Sequence, residues 1–252
     1  MYAKCSLKYL YKISGKESIV SDADERYIMS VALKDTYIKY FHQKGLGKPM
    51  NNSNAMSMFS SKLIAYKTKW LKDKSLAIQD TKTLLTAHQN IVDAEKFINP
   101  EDELIAASFP VERVIGDRMI KDEIDLIVFR HPKNKESYIE IIYFDVNPLQ
   151  SKPDFTVMLR ANLGLTVVKQ DLMGEALIVK CTVYNILSGK STDIELSHEH
   201  RFNYRRFIKS LFTGIESKLF YPRDSYNVCE HCSYSSICSW KVNEKDKIIA
   251  SD

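Results

Sequence analysis

The sequence predicts an α/β domain with a central mixed sheet flanked by helices and a helical amino-terminal part. Three observations carry this. Apolar residues recur at helical spacing over most of the first hundred positions. Three runs rich in Ile, Val, Phe and Tyr then follow with short polar loops between them: "ELIAASFPVERVIG", "DEIDLIVFR" and "SYIEIIYFDVN". These read as sequential strands, antiparallel in part. Finally, "EALIVKCTVYNIL" and "STDIELSHEH" are joined by Ser188–Lys190, a hairpin signal, and stand between two helical patterns. Helices, strands, helix, hairpin and helix in that order suit a mixed sheet covered by helices.

The elements follow in order. "YAKCSLKYLYKI" places Lys4, Lys8 and Lys12 four residues apart, continued by Lys16, on one basic helical face. A second helix runs from about Asp22 to His42, with Ile28, Val31, Ala32, Ile38 and Phe41 as its apolar positions. "QKGLGKPMNNSN" is a loop by its Gly, Pro and Asn content. Two more helices are expected over about 55–72 and 80–97. After the three strands, a helix starts near Pro153, because proline suits a first turn. "HRFNYRRFIKSLFTGIESKLF" is an amphipathic helix with Phe202, Phe207, Leu211 and Phe212 as expected apolar contacts. Residues 241–252 form a charged tail, expected to fray.

Hydrophobic residues make up 44% and charged residues 27% of 252, which fits a globular core and excludes general disorder. No apolar run approaches the ~18 residues of a membrane span. The first residues carry lysines throughout and lack a signal-peptide apolar core, so a cytoplasmic protein with no membrane partner is expected. Should the source be a phage, for which the Lys, Asn, Ile and Tyr richness of an AT-rich genome is suitable, that means the host cytoplasm. The net charge of +4 permits an anionic partner without requiring one.

The cysteines are more informative. There are five, an odd number, and three of them form a Cys-x2-Cys-x5-Cys group: Cys229, Cys232 and Cys238. In a reducing compartment this points to a metal rather than to disulfides. Soft thiolates suit zinc or an iron–sulfur cluster. The fourth ligand is Cys5, near the other end of the chain, or a histidine such as His231, and spacing alone leaves both metals open. Cys181 alternates within "LIVKCTVY" and reads as a buried structural thiol.

"YAKCSLKYLYKI", "DEIDLIV…IEIIYFDVN" and "FYPRDSYNVCEHCSYSSICSW" together resemble the iron–sulfur branch of the PD-(D/E)XK nucleases, which includes RecB-family exonucleases, the AddB nuclease domain and CRISPR-adaptation exonucleases. The resemblance spans nearly the whole chain, and the cysteine frame is its specific part. It implies a restriction-endonuclease-like fold over 1–240 with a helical insertion at about 22–97. It also implies a 4Fe-4S cluster on Cys5, Cys229, Cys232 and Cys238 that joins the two ends, with zinc as the alternative.

Such a nuclease holds Mg or Mn against the scissile phosphate, activating water and stabilising developing charge. Asp125, between Ile124 and Leu126, matches the family's motif Asp. Asp145 matches the first carboxylate of (D/E)-x-K, so the resemblance makes both metal ligands and catalytic residues. The third position is Asn147, where the family has Lys. An amide cannot replace an ammonium in stabilising charge, so the catalytic centre reads as degenerate. Lys152 is a candidate migrated lysine. Other departures are a metal-ligating His not found at its place in "SVALKDTYIKYFHQ", with only His42 and His88 further off, polar "KDE" in place of the Gly before the Asp, and no Gln/Tyr pair in "FTVMLRANLGL".

Arg201, Arg205, Arg206 and Lys209 lie among aromatics in "RFNYRRFIKS", and with Lys8 they form the candidate nucleic-acid surface. Cations neutralise phosphate and aromatics stack on unpaired bases, so DNA, its single-stranded form included, is the expected ligand. The sequence therefore leads to a DNA-binding iron–sulfur protein with a degenerate RecB-like nuclease centre, working with other proteins of a DNA-processing assembly. Its alternatives are an active Mg- or Mn-dependent exo- or endonuclease using Asp125 and Asp145, and a zinc-stapled interaction module.

Overall fold

The computed structural model describes residues 23–71, 89–90, 98–145, 155–169, 178–186, 188–194 and 198–218. The chain divides into two units, one made of residues 26–204 and the other of residues 1–25 with 205–252. The larger unit contains the sheet. Among the described residues no helix is long and apolar enough to cross a membrane.

Two helices come first. Helix α1 (Ala23–Gly45) buries Met29, Leu33, Tyr37 and Phe41 at four-residue spacing, beside Ile28, Ala32 and Tyr40. Of the expected apolar positions, Val31 and Ile38 are only partly buried, while Leu33, Tyr37 and Tyr40 carry the stripe. The chain leaves α1 through Gly47 at φ 69°, a conformation glycine adopts without steric cost. Helix α2 (Asn52–Leu71) starts three residues earlier than expected, because Asn51 Oδ1 accepts the Asn54 N–H at 2.8 Å and caps the first turn. It buries Ala55, Phe59, Leu63 and Lys67 along one face.

The sheet is mixed and five-stranded, in the order β1-β2-β3-β4-β5. Strands β1 (Glu103–Ile115) and β2 (Arg118–Arg130) form an antiparallel hairpin turned through Gly116 at φ 71°. Strand β2 begins at Arg118, ahead of the expected Asp122, because this tight turn lets "RMIK" pair with β1. Edge strand β1 tolerates Pro110, and a bulge lies between Leu104 and Ala106. Strand β3 (Tyr138–Asp145) pairs antiparallel with β2 and parallel with β4 (Val179–Asn185). The crossover between β3 and β4 carries helix α3 (Phe155–Val167), as a parallel pair requires. Strand β5 (Lys190–Asp193) returns antiparallel through Gly189, in the expected Ser188–Lys190 turn.

Strand β3 is central and runs apolar on both faces: Ile139 and Ile141–Phe144 are all buried. One face, with Leu126, Val128, Ile142 and Phe144, joins a core with α1 and α2, and the Tyr37 ring lies 5.5 Å from that of Phe144. The other face carries α3. A Cβ at Gly164 of α3 would fall well inside van der Waals contact of Tyr143 Oη and 3.2 Å from Ile141 Cδ1. Tyr143 Oη donates to the Arg160 carbonyl at 3.0 Å, so the ring is pinned where the glycine admits it. Cys181 is buried in β4, as expected.

Helix α4 (His198–Glu216) claims residues that alternation assigned to the last strand. His198–His200 offer no apolar face to a sheet, and Glu199 suits a helical first turn. Tyr204 and Ile208 are its buried positions, whereas Phe202 is 57% exposed. Phe202 lies two residues from Tyr204, about 200° around the helix, so the expected contact there is corrected to Tyr204 and Ile208.

A polar clamp closes the far end of the sheet. Asp102 accepts from Arg130 Nη1 at 2.7 Å and from the N–H groups of Asn99 and His131 at 3.0 Å, while Arg130 Nε donates to Glu140 at 2.6 Å. Burial opposes the Asp102 charge. The Arg130 hydrogen bond and the two N–H groups outweigh it and hold the carboxyl below its ordinary range.

Gly164→Ala should lower stability by about 1–3 kcal/mol, the usual cost of overpacking, with part of the loss recovered by adding Tyr143→Phe. Denaturation midpoints check this, and a Gly164→Ala midpoint equal to the parent's counts against it. The Asp102 contribution is present above the unfolded carboxyl value of about 4 and is lost as pH falls through the lower folded one. Urea midpoints measured between about pH 2 and 6 should therefore fall more gently in Asp102→Asn than in the parent.

Candidate functional site

The β2–β3 ladder runs from Arg130↔Tyr138 to Leu126↔Ile142. Amino-terminal to Leu126, the pairs of β2 are with β1. The strands therefore part at Asp125, beyond which the Phe144 N–H needs another acceptor. Asp125 Oδ2 fills that role at 2.7 Å. Asp145 is the next residue of β3, 5% exposed, and its carbonyl accepts the Ile186 N–H at 3.1 Å. The two acidic residues singled out by the sequence thus lie on neighbouring strands, Asp125 midway along β2 and Asp145 at the end of β3. Both are buried, Asp125 fully.

A fully buried carboxylate needs a counter-charge. Lys34 of α1 supplies it, with Nζ 2.8 Å from Oδ2 as a hydrogen bond and 2.7 Å from Oδ1 as an ion contact. Lys34 sits beside the buried Leu33, and its side chain keeps 18% exposure. A second cation arrives from the opposite helical layer. Arg160 of α3 lies 3.9 Å from Asp125 Oδ1 through Nη2, but its strong contacts are elsewhere. Nε reaches both oxygens of Asp122 at 3.0 Å, Nη2 donates to the Glu123 carbonyl at 2.8 Å, and the guanidinium lies 4.8 Å from the Tyr143 ring centre.

Burial pushes the Asp125 carboxyl above its ordinary value. Lys34, then Arg160, and the Phe144 N–H pull it back without cancelling the burial. Asp122, Asp125, Lys34 and Arg160 form one linked network of two acids and two bases.

These residues do not fit a divalent ion as arranged. Magnesium and manganese need several hard oxygen ligands around one point. Here the leading carboxylate already faces an ammonium with both oxygens. Among the described residues no three His, Cys, Asp or Glu side chains gather to hold an ion. The arrangement fixes charge and ties α1 and α3 to the sheet.

Beside this network lies an open cleft of about 490 Å³, lined by Asp35, Lys39, His42, Lys62, Ser108 and Glu123 among others. Asp35 accepts from the Tyr66 hydroxyl and from Lys62 at 3.4 Å, and that hydrogen bond pushes Tyr66 up to about 12. His42, the late candidate for a ligand, lines this cleft and is exposed.

Asn147, Lys152, Cys5, Cys229, Cys232, Cys238, Lys8, His231 and His88 lie outside the described residues. Arg201 lies in α4, with its side chain outside the described part, and Arg205, Arg206 and Lys209 are exposed on the same helix. Sequence reasoning did not single out Lys34, Arg160 or Asp122. Arg160 had a signal, since it is the sole charge in the thirteen residues of α3. Lys34 had a weaker one, a cation next to the apolar stripe of α1.

Lys34→Met should cost on the order of 3 kcal/mol, the low end for breaking a buried pair, because Lys34 is partly exposed and Arg160 remains. Adding Asp125→Asn should restore most of it, since the amide oxygen still accepts the Phe144 N–H and no buried charge is left. Equilibrium denaturation of both single variants and the double variant checks this. Additive losses would show that the pair is not coupled.

No family model and no curated protein matches the chain. Among solved structures, it is similar to the one titled "Crystal structure of SSO0001", at 15% identity and a TM-score of 0.35, over 71% of this chain and 80% of that one. That likeness is too slight to carry an argument about fold or function.

Proposed function

We propose that this is a DNA-binding iron–sulfur protein with a RecB-like nuclease fold and a non-hydrolytic centre, acting within a DNA-processing assembly. The observation that carries it is the Lys34 ammonium on both oxygens of Asp125, the carboxylate that such a nuclease would use for its metal. Lys34 comes from the helix in which the resemblance expects a metal-ligating His. An ammonium offers no lone pair to a metal and competes with it electrostatically for the same oxygens. Asn147 in place of the family lysine points the same way. In this reading Cys5, Cys229, Cys232 and Cys238 hold a 4Fe-4S cluster. Such a cluster outlasts a decayed active centre, because ligand binding adds directly to folding stability. Exposed Arg205, Arg206 and Lys209 of α4, with Lys8, contact the phosphates.

The test is incubation of single- and double-stranded DNA with the protein and manganese, beside an Asp125→Ala/Asp145→Ala variant. Cleavage should stay at background in both. The parent should bind DNA with an affinity that falls with salt, and Lys8→Glu/Arg205→Glu/Arg206→Glu should weaken binding and flatten the salt dependence. Cleavage by the parent but not by the double-Ala variant would establish an active nuclease instead. Binding unaffected by the charge reversals would remove the proposed surface.

A further inference from the structure

We infer that the exposed face of α4 is a stacking surface for unpaired nucleic-acid bases, with Phe202 as the side chain that meets a base, so that the protein selects single strands over duplex. This rests on the reading of α4 as a phosphate-binding helix and says which form of nucleic acid it takes. Helix α4 is continuous from His198 to Glu216. Its buried positions, Tyr204 and Ile208, are four residues apart and define the covered side. Phe202, Arg205, Arg206 and Lys209 follow the i, i+3, i+4, i+7 spacing, which places them together on the other side. All four are exposed. From Phe202 to Thr213 this stretch carries three cations and no acidic residue, and Glu199 and Glu216 lie beyond its two ends.

A helix that only neutralised phosphates would have no use for a ring among its cations. Phe202 is 57% exposed, so it forgoes much of the stabilisation that burying the ring would bring. Among the described residues it is the one aromatic side chain in the exposed class, and it is the one flanked by Arg205 and Arg206 a turn away. Cations hold a strand by its backbone, and an aromatic ring between them stacks on a base that the strand turns outward. Every base offers such a face, so the ring adds affinity without reading sequence. In a duplex each base face is already covered by its neighbours. The cations of α4 still reach duplex phosphates, but Phe202 then has no base to meet.

The full chain is titrated at fixed ionic strength with a thymidine oligonucleotide, an abasic strand of the same length, and a duplex. The abasic strand keeps the phosphates and lacks the bases. The parent should bind the thymidine strand more tightly than the abasic one. Phe202→Ala should weaken binding of the thymidine strand by about fivefold or more, the low end for losing one stacked base, and leave the other two ligands unchanged. Its salt dependence should equal the parent's, because no phosphate contact is lost. Phe202→Tyr should keep the parent's affinity, and Phe202→Leu, apolar but without a ring, should bind as Phe202→Ala does. The inference falls if Phe202→Ala binds the thymidine strand as the parent does. It also falls if Phe202→Ala loses affinity for the abasic strand and the duplex in the same proportion, because the ring then serves something other than an unpaired base. Unchanged binding by Phe202→Ala, beside a loss in Lys8→Glu/Arg205→Glu/Arg206→Glu, sinks this inference alone. A parent that binds none of the three ligands sinks the functional reading as well.

Discussion

The Asp125 carboxylate has no contact with solvent, and everything around it is arranged to tolerate that. Moving an ionised carboxylate out of water costs several kcal/mol even after relaxation. Among the described residues the cost is met by the ammonium of α1 on one side of the sheet, the guanidinium of α3 on the other, and the N–H of Phe144 in the sheet itself. The network therefore runs from α1 through the sheet to α3. It sits where β2 leaves β3, the point at which a sheet has an unpaired N–H to offer. The local backbone and the charge arrangement are one constraint: restore the ladder and the acceptor is not needed, remove the cation and the acceptor is unaffordable.

Strand β3 makes the constraint rigid. Its residues are buried on both faces, so neither helical layer can shift without disturbing it. Tyr143 reaches across to α3, bonds the Arg160 carbonyl and stacks beneath the guanidinium. Gly164 makes room for that ring. The position of Arg160 is thus set by packing as much as by charge, and its two contacts with Asp122 leave Asp125 to Lys34. A helix that approaches a sheet this closely needs a small residue where a side chain stands up, and α3 supplies one there.

Much of this architecture was legible from the sequence because its signals are local. Runs rich in Ile, Val, Phe and Tyr marked β1 and β3, a strand pattern around Cys181 marked β4, the Ser-Gly-Lys turn marked the last hairpin, and apolar spacing marked α1 and α2. Where local signals were weak the reading slipped. The polar start of β2 paired because the Gly116 turn delivers it to β1, and His198–His200 entered α4 because no apolar face held them in the sheet. Asp125 and Asp145 were singled out through a motif, and they lie on neighbouring strands. Their partners were not found, since Lys34 and Asp125 are 91 residues apart and no spacing rule links a helix lysine to a strand carboxylate at that distance. The cysteine frame was legible as a pattern, and its residues lie outside the described part of the chain.

The lysine question also changes form. Asn147 suggested that a positive charge is missing from the (D/E)-x-K strand. A positive charge is nevertheless present beside Asp125, brought by α1. Origin matters because the two placements do different work. A lysine two residues beyond Asp145, as the family resemblance expects, would leave Lys34 out of the account of Asp125. A lysine from α1 that contacts both oxygens of Asp125 takes up that carboxylate's negative charge. Total charge is similar in the two cases, but in the second the attraction is spent inside the protein. A charge count over the sequence cannot separate them, because the difference lies in which oxygen atoms the ammonium meets.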